Sequence, residues 1–111
     1  MPELTLAAFD ARHAEFVRRT FPEILDYRKP LLHLRGEVDE AMDGGDRHEF
    51  SDMLMLVLSA FRLRYPDLTT DDLLRDAYEK LAINEGRRWR MNADGFAQHV
   101  EASPDDAPVD E

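Results

Sequence analysis

The sequence predicts an all-α fold: a helical bundle of four to five helices, with the core helices paired across a homo-oligomer interface. Three observations carry that expectation. Apolar residues recur at helical spacing in four separate stretches. Pro22, Gly44 and Tyr65-Pro66-Asp67 close those stretches, and Pro30 opens one of them. One stretch is apolar nearly all round, in a chain of only 111 residues.

The elements follow in order. Thr5 caps a first helix carrying Leu6, Phe9, His13, Phe16, Val17 and Thr20 on one face. Residues 21–29 form a connector in which Leu25 and Tyr27 pack. Pro30 opens the second helix, which runs through Leu31, Leu34, Val38, Ala41 and Met42 to Gly44. Asp46 caps the third, with a core stripe of Phe50, Met53, Leu54, Val57, Leu58 and Phe61. Met55, Leu56, Ala60 and Leu63 fall largely outside that stripe, so a second subunit is expected to cover part of this helix. Thr69 or Thr70 caps a fourth helix bearing Leu73, Leu74, Ala77, Tyr78 and Leu81, with Asp71 and Asp72 in its first turn. Phe96 and Val100 are expected in one further docked turn. There is no internal repeat at a period of about 20 to 50 residues.

Length sets one domain as the expectation, over residues 1–100. Half of the net charge of −10 lies beyond it: Glu101, Asp105, Asp106, Asp110 and Glu111 stand with no Lys or Arg. Residues 101–111 therefore read as an acidic, disordered tail. The acidic balance argues against a nucleic-acid polymer as partner, because phosphate backbones need a basic face. Absence of cysteine removes disulfides and thiolate metal sites. No apolar run of about 18 residues suits a membrane span, and Met1-Pro2-Glu3 does not open a signal peptide. The expected location is the cytoplasm, that of the host if the gene belongs to a phage.

The stretch with chemical content is Glu37-Val38-Asp39-Glu40 followed by Glu49-Phe50-Ser51-Asp52, with Asp43-Gly44-Gly45-Asp46 between. Acids three apart project from one helical face. A tight turn at the glycines folds the two faces together and brings four carboxylates into a small volume. Such a cluster is relieved by a hard divalent cation with oxygen ligands, Mg²⁺ or in its place Mn²⁺. Each half alone reads as a solvated helix face, and Asp46 with Glu49 has the spacing of a capping box that would occupy Glu49. Asp52 has the weakest bland reading, since it abuts Phe50, Met53 and Met55. An EF-hand starting at Asp39 fails, with Phe50 at its twelfth position and Ala41 at its third. A di-iron carboxylate bundle fails for want of Glu-x-x-His pairs. His33 falls angularly between Glu37 and Glu40, where it reads as a core histidine or as a contact to the metal shell or a substrate. His13, His48 and His99 have no partner at ligand spacing.

A second constellation is cationic: Lys80, Asn84, Arg87, Arg88 and Trp89. Lys80, Asn84 and Arg87 share a face if the fourth helix continues that far. Lys and Arg suit phosphate, Asn a base, sugar or phosphate, and Trp89 a stacked base or the core. The plainer reading is basic residues complementing a helix C-terminus, with Trp89 as packing. Beside a carboxylate cluster, a phosphate grip complements a metal–polyphosphate substrate.

At these residues the chain resembles the MazG-like family of all-α nucleoside triphosphate pyrophosphohydrolases. The matching segments are His33-Leu34-Arg35-Gly36-Glu37-Val38-Asp39-Glu40, Glu49-Phe50-Ser51-Asp52 and Lys80-Leu81-Ala82-Ile83-Asn84-Glu85-Gly86-Arg87-Arg88-Trp89, within residues 33–89. The last is most similar to the small, single-domain dATP/dGTP-acting (MazZ-like) branch. Gly36 stands where the family often has a second acid, while Glu37 and Glu40 remain. The resemblance implies hydrolysis of a (deoxy)nucleoside triphosphate to the monophosphate and pyrophosphate, with Mg²⁺ held by Glu37, Glu40, Glu49 and Asp52. It implies phosphate contacts from Lys80 and Arg87 or Arg88, nucleoside contacts from Asn84 and Trp89, and a homodimer or homotetramer. Two other readings stand beside it: a non-catalytic helical oligomerisation protein, and a hydrolase of the same fold acting on dUTP or another pyrophosphate.

Overall fold

The computed structural model describes residues 2–91, 93 and 95–100. It is built on four helices: α1 (Leu6–Thr20), α2 (Arg28–Met42), α3 (His48–Arg64) and α4 (Thr70–Glu85). Two short strands follow, β1 (Arg88–Met91) and β2 (Ala97–Val100). The all-α expectation holds. The expected docked turn at Phe96 and Val100 does not: Phe96 precedes β2, and Val100 pairs with Arg88 in an antiparallel hairpin. Gly95, at φ +85°, lies between the two strands, in a conformation that glycine adopts without steric cost. The acidic segment 101–111 lies outside the described residues.

The chain divides after Asp71 into two compact units. In the first, α3 packs along α2 and also meets α1. Local signals set the helix ends. Thr5 Oγ1 accepts from the Ala8 N–H at 3.1 Å, which answers one of the orphan donors of α1. The Phe21 N–H closes the other end on the Val17 carbonyl. Helix α2 begins at Arg28, two residues earlier than Pro30 indicates, because Asp26 Oδ1 accepts from the Arg28 N–H at 3.0 Å. Pro30, buried, still falls in the first turn, where its missing N–H costs nothing. Beyond Met42 the chain reverses through Gly44, at φ +86°. The N-cap of α3 is Arg47, with no side-chain cap bond, rather than the predicted Asp46; Asp46 Oδ1 instead accepts from the His48 N–H at 2.8 Å.

Packing of α3 matches the predicted stripe at Leu58 and departs from it elsewhere. Its buried residues are Leu58, Ser59 and Ala60, whereas Phe50, Leu54 and Val57 are exposed. At 100° per residue, these three lie on the side of α3 opposite Asp52, Leu56 and Ser59. A helix apolar all round offers no periodic contrast from which to read its inner face. The expected packing of Leu25 also fails, since that side chain is 77% exposed. In the second unit, α4 ends at Glu85, and Arg87 lies beyond it in a turn closed by its N–H on the Asn84 carbonyl. Lys80, Asn84 and Arg87 therefore do not share a continuous helical face.

Candidate active site

The α2–α3 turn brings the two acidic motifs together. Glu37, Glu49 and Asp52, all half-buried, place a carboxylate oxygen each within 4.8 Å of one another. Glu40, one turn along α2, hydrogen-bonds to Glu37. That bond is the largest cause raising the Glu37 pKa above 4.5, ahead of desolvation and the charges of Glu40, Glu49 and Asp52. The Glu49 pKa is raised too, first by desolvation and then by the charges of Glu40, Asp52 and Asp46. Gathered carboxylates resist ionising together, so protons and cations compete for these oxygens.

Glu49 has a close backbone neighbour. A Cβ built on Gly45 would stand 2.5 Å from Glu49 Cγ and 3.1 Å from the Glu40 carbonyl oxygen. Glycine at this point lets the Glu49 side chain lie across the turn with its carboxylate among those of Glu37 and Asp52. The capping box expected at Asp46 and Glu49 does not form: the Glu49 N–H donates to the Asp46 backbone carbonyl at 3.0 Å, while Asp46 Oδ1 accepts from the His48 N–H.

The donor set suits a hard divalent ion. It is all oxygen, with three carboxylates contributed by two helices, the donor type that Mg²⁺ or Mn²⁺ prefers. Glu37 and Asp52 also line a groove of about 770 Å³ in the first unit. His33, exposed rather than in the core, lines it beside Glu37. Lys29, one further turn back on the same face of α2, does likewise.

Sequence reasoning missed a polar cluster on this groove. Arg62 donates from Nη1 to Asp10 Oδ1 at 2.6 Å, and from Nη2 to Ser59 Oγ at 3.3 Å and His13 Nδ1 at 3.1 Å. His13, with no partner at ligand spacing in the sequence, is held by a residue 49 positions away. Its pKa is lowered below 6.5 by desolvation and then by Arg62, with Asp10 opposing. His48 meets Asp46 at 3.7 Å.

In the second unit the structure joins three predicted residues. The Trp89 indole N–H donates to the Asn84 carbonyl at 2.7 Å, and Arg87 Nη1 donates to Asn84 Oδ1 at 3.5 Å. Lys80 is exposed on α4, and Arg88 lies in β1.

A helical hairpin that gathers carboxylates beside an apolar groove has a counterpart among solved structures. The solved structure of a MazG-like pyrophosphohydrolase from cyanophage S-2L, bound to dGDP and three catalytic Mn²⁺ ions per active site, matches with a TM-score of 0.73 at 26% identity. The match covers 96% of this chain and 100% of that one. No curated protein matches the sequence. The model of the dATP/dGTP pyrophosphohydrolase family matches residues 9–106, and the chain belongs to that family. It is a nucleotide pyrophosphohydrolase.

Proposed function

We propose that this protein is a Mg²⁺-dependent enzyme, with Mn²⁺ as substitute, that hydrolyses dGTP or dATP between the α and β phosphates. The products are the deoxynucleoside monophosphate and pyrophosphate. The observation that carries the reading is the convergence of Glu37, Glu49 and Asp52, with Glu37 and Asp52 lining a groove large enough for a nucleoside. With Glu40 they form the metal-holding set. A bound divalent cation would offset triphosphate charge and lower the pKa of a water.

The chain's own residues do the rest. One of the four carboxylates accepts the proton of the attacking water, which is oriented in line with the leaving pyrophosphate. Lys80, Arg87 and Arg88 contact phosphates, and His33 the substrate beside Glu37. Asn84 and Trp89, tied to each other through the Trp89 indole N–H, contact the nucleoside.

The catalytic body is residues 1–100, in a homodimer or homotetramer. The exposed face of α3 at Phe50, Leu54 and Val57 supports that assembly, because a patch of this kind on a small protein marks an interface. It also accounts, within an enzyme, for the feature that pointed toward a purely structural oligomerisation role. Among the described residues no helix is long and apolar enough to cross a membrane, and the nucleotide pool it draws on is cytoplasmic.

A nucleotide panel with Mg²⁺, read as pyrophosphate against phosphate release, tests the reaction. Pyrophosphate from dGTP or dATP, lost in Asp52→Asn, is expected. No turnover of any triphosphate, together with no thermal shift on adding Mg²⁺ or Mn²⁺, discards it. Preference for dUTP moves the assignment to another branch.

A further inference from the structure

The Arg62 cluster lies at a telling distance from the carboxylates. Asp52, Met55, Leu56, Ser59 and Arg62 line the groove from α3. At 1.5 Å per residue, Ser59 stands about 10 Å and Arg62 about 15 Å along the helix from Asp52. This is comparable to the reach from an α-phosphate, across a deoxyribose, to the far edge of its base. Between the two ends the walls are apolar, with Phe16, Val17, Ile24, Met55 and Leu56 among them. A flat heterocycle suits such walls.

The cluster also has a defined polarity. Guanidinium has donors and no acceptor. The ring nitrogen of His13 facing Arg62 Nη2 must therefore accept, which makes Nδ1 the bare nitrogen. Burial at 8% exposure and the Arg62 charge keep the ring neutral, so its proton sits on Nε2. Ser59, equally buried, accepts from Arg62 and retains its own hydrogen. Both side chains line the groove, and so does Arg62 itself. The polar groups at this end are then donors: an imidazole N–H, a hydroxyl and the remaining guanidinium hydrogens. Stacking of His13 between Phe9 and Phe16, at centroid distances of 6.0 and 6.4 Å, fixes the ring plane.

We propose that His13, Ser59 and Arg62 read the O6/N7 edge of a purine base and select a 6-oxopurine over a 6-aminopurine. Guanine presents two acceptors on that edge, whereas adenine sets its N6 amino donor against donors. A site built to hydrogen-bond one group discriminates strongly against an analogue that leaves its buried donors unmet. The inference rests on the nucleotide-hydrolysing reading and names the specificity residues within it.

The test compares kcat/KM for dGTP, dITP, 7-deaza-dGTP and dATP on the unaltered protein with Mg²⁺, then repeats the series on His13→Phe and Ser59→Ala. dITP, which keeps O6 and N7, should fall within about threefold of dGTP. By the cost of an unmet buried donor, 7-deaza-dGTP and dATP should fall roughly tenfold or more. In the variants the advantage of dGTP over dATP should shrink by a similar factor, mostly through a raised KM for dGTP. Equal use of dGTP and dATP by the unaltered protein overturns the proposal. So do variants that lower both substrates by one common factor, which is what a purely structural role gives. If the unaltered protein turns over no triphosphate, the functional reading itself has failed, a result distinct from turnover without base preference. The analogue series needs no substitution, so a variant that does not fold leaves the test intact.

Discussion

His13 sits where a proton would face Arg62, and that placement has a consequence for stability. Its native pKa lies below 6.5, from desolvation first, then Arg62, against the opposing charge of Asp10. A base depressed in the native state is protonated sooner in the unfolded chain. The stability it contributes is whole above pH 6.5 and is lost as pH falls from there through the native value. Glu37 and Glu49, both raised above 4.5, act in the opposite sense without metal, since the native state takes up their protons first as pH falls. His13 acts below pH 6.5, where the unfolded chain takes up its proton first, and Glu37 and Glu49 act above pH 4.5, where the native state does. Thermal melts of metal-free protein between about pH 7.5 and 5.5, which spans the ordinary histidine value, should show a stability slope that His13→Phe flattens. An unchanged slope in the variant counts against a neutral, Arg62-held ring. The same residues mark what sequence could and could not reveal. Glu37, Glu40, Glu49 and Asp52 are legible because their spacing and the intervening glycines are local. The His13–Arg62 contact joins α1 to α3 across 49 positions, and no short-range pattern encodes it.

Two glycines on the α2–α3 hairpin make a controlled pair at the scale of the element. Gly36 lies within α2, and a Cβ added there meets nothing within 4 Å. Gly36→Ala should stabilise the protein by about 0.5–1 kcal/mol, the usual penalty of glycine in a helix interior, in a denaturant melt. Gly45→Ala should act elsewhere. Its Cβ would press on Glu49 Cγ and on the Glu40 carbonyl, so the carboxylate must leave its place beside Glu37 and Asp52. A Mn²⁺ titration should then weaken by roughly tenfold or more, as is typical when the support of a ligand is disturbed, with helix content unchanged. Retained affinity would show that Glu49 is dispensable for binding. Element type was mostly readable: two end signals, Thr5 and the Tyr65-Pro66 stop, act where predicted, while Asp46 falls one residue before the N-cap of α3. The hairpin was not readable. Its strands are four residues each, Arg-Trp-Arg-Met and Ala-Gln-His-Val, and carry no alternation long enough to outweigh the helical pattern before them.

Across the whole molecule the balance between core and surface is unusual. Leu58 and Ala60 are the buried hydrophobic residues among those described, while Phe50 is 65% and Met42 81% exposed. So thin a core supplies little stability to a lone 111-residue chain. In the oligomeric assembly proposed above, stability depends on protomer concentration. The melting temperature should therefore fall on dilution, and Leu54→Glu should shift the mass in solution toward the monomer, read by light scattering. A concentration-independent melt with monomeric mass would set the assembly aside. The two-sidedness of α3 was visible in the sequence as an apolar run without a polar face. Which side faces inward was not, because that depends on where α1 and α2 lie.

The bond from the Trp89 indole to the Asn84 carbonyl ties the chain's single tryptophan to the end of α4. Every photon of tryptophan emission from this protein therefore originates in the unit that follows Asp71. Far-ultraviolet dichroism instead weighs all four helices, three of which precede that point. A single heating experiment followed by both signals becomes a two-channel recording of the two units. Coincident curves mean that they melt as one cooperative body; a lag between the optical channels times one unit against the other.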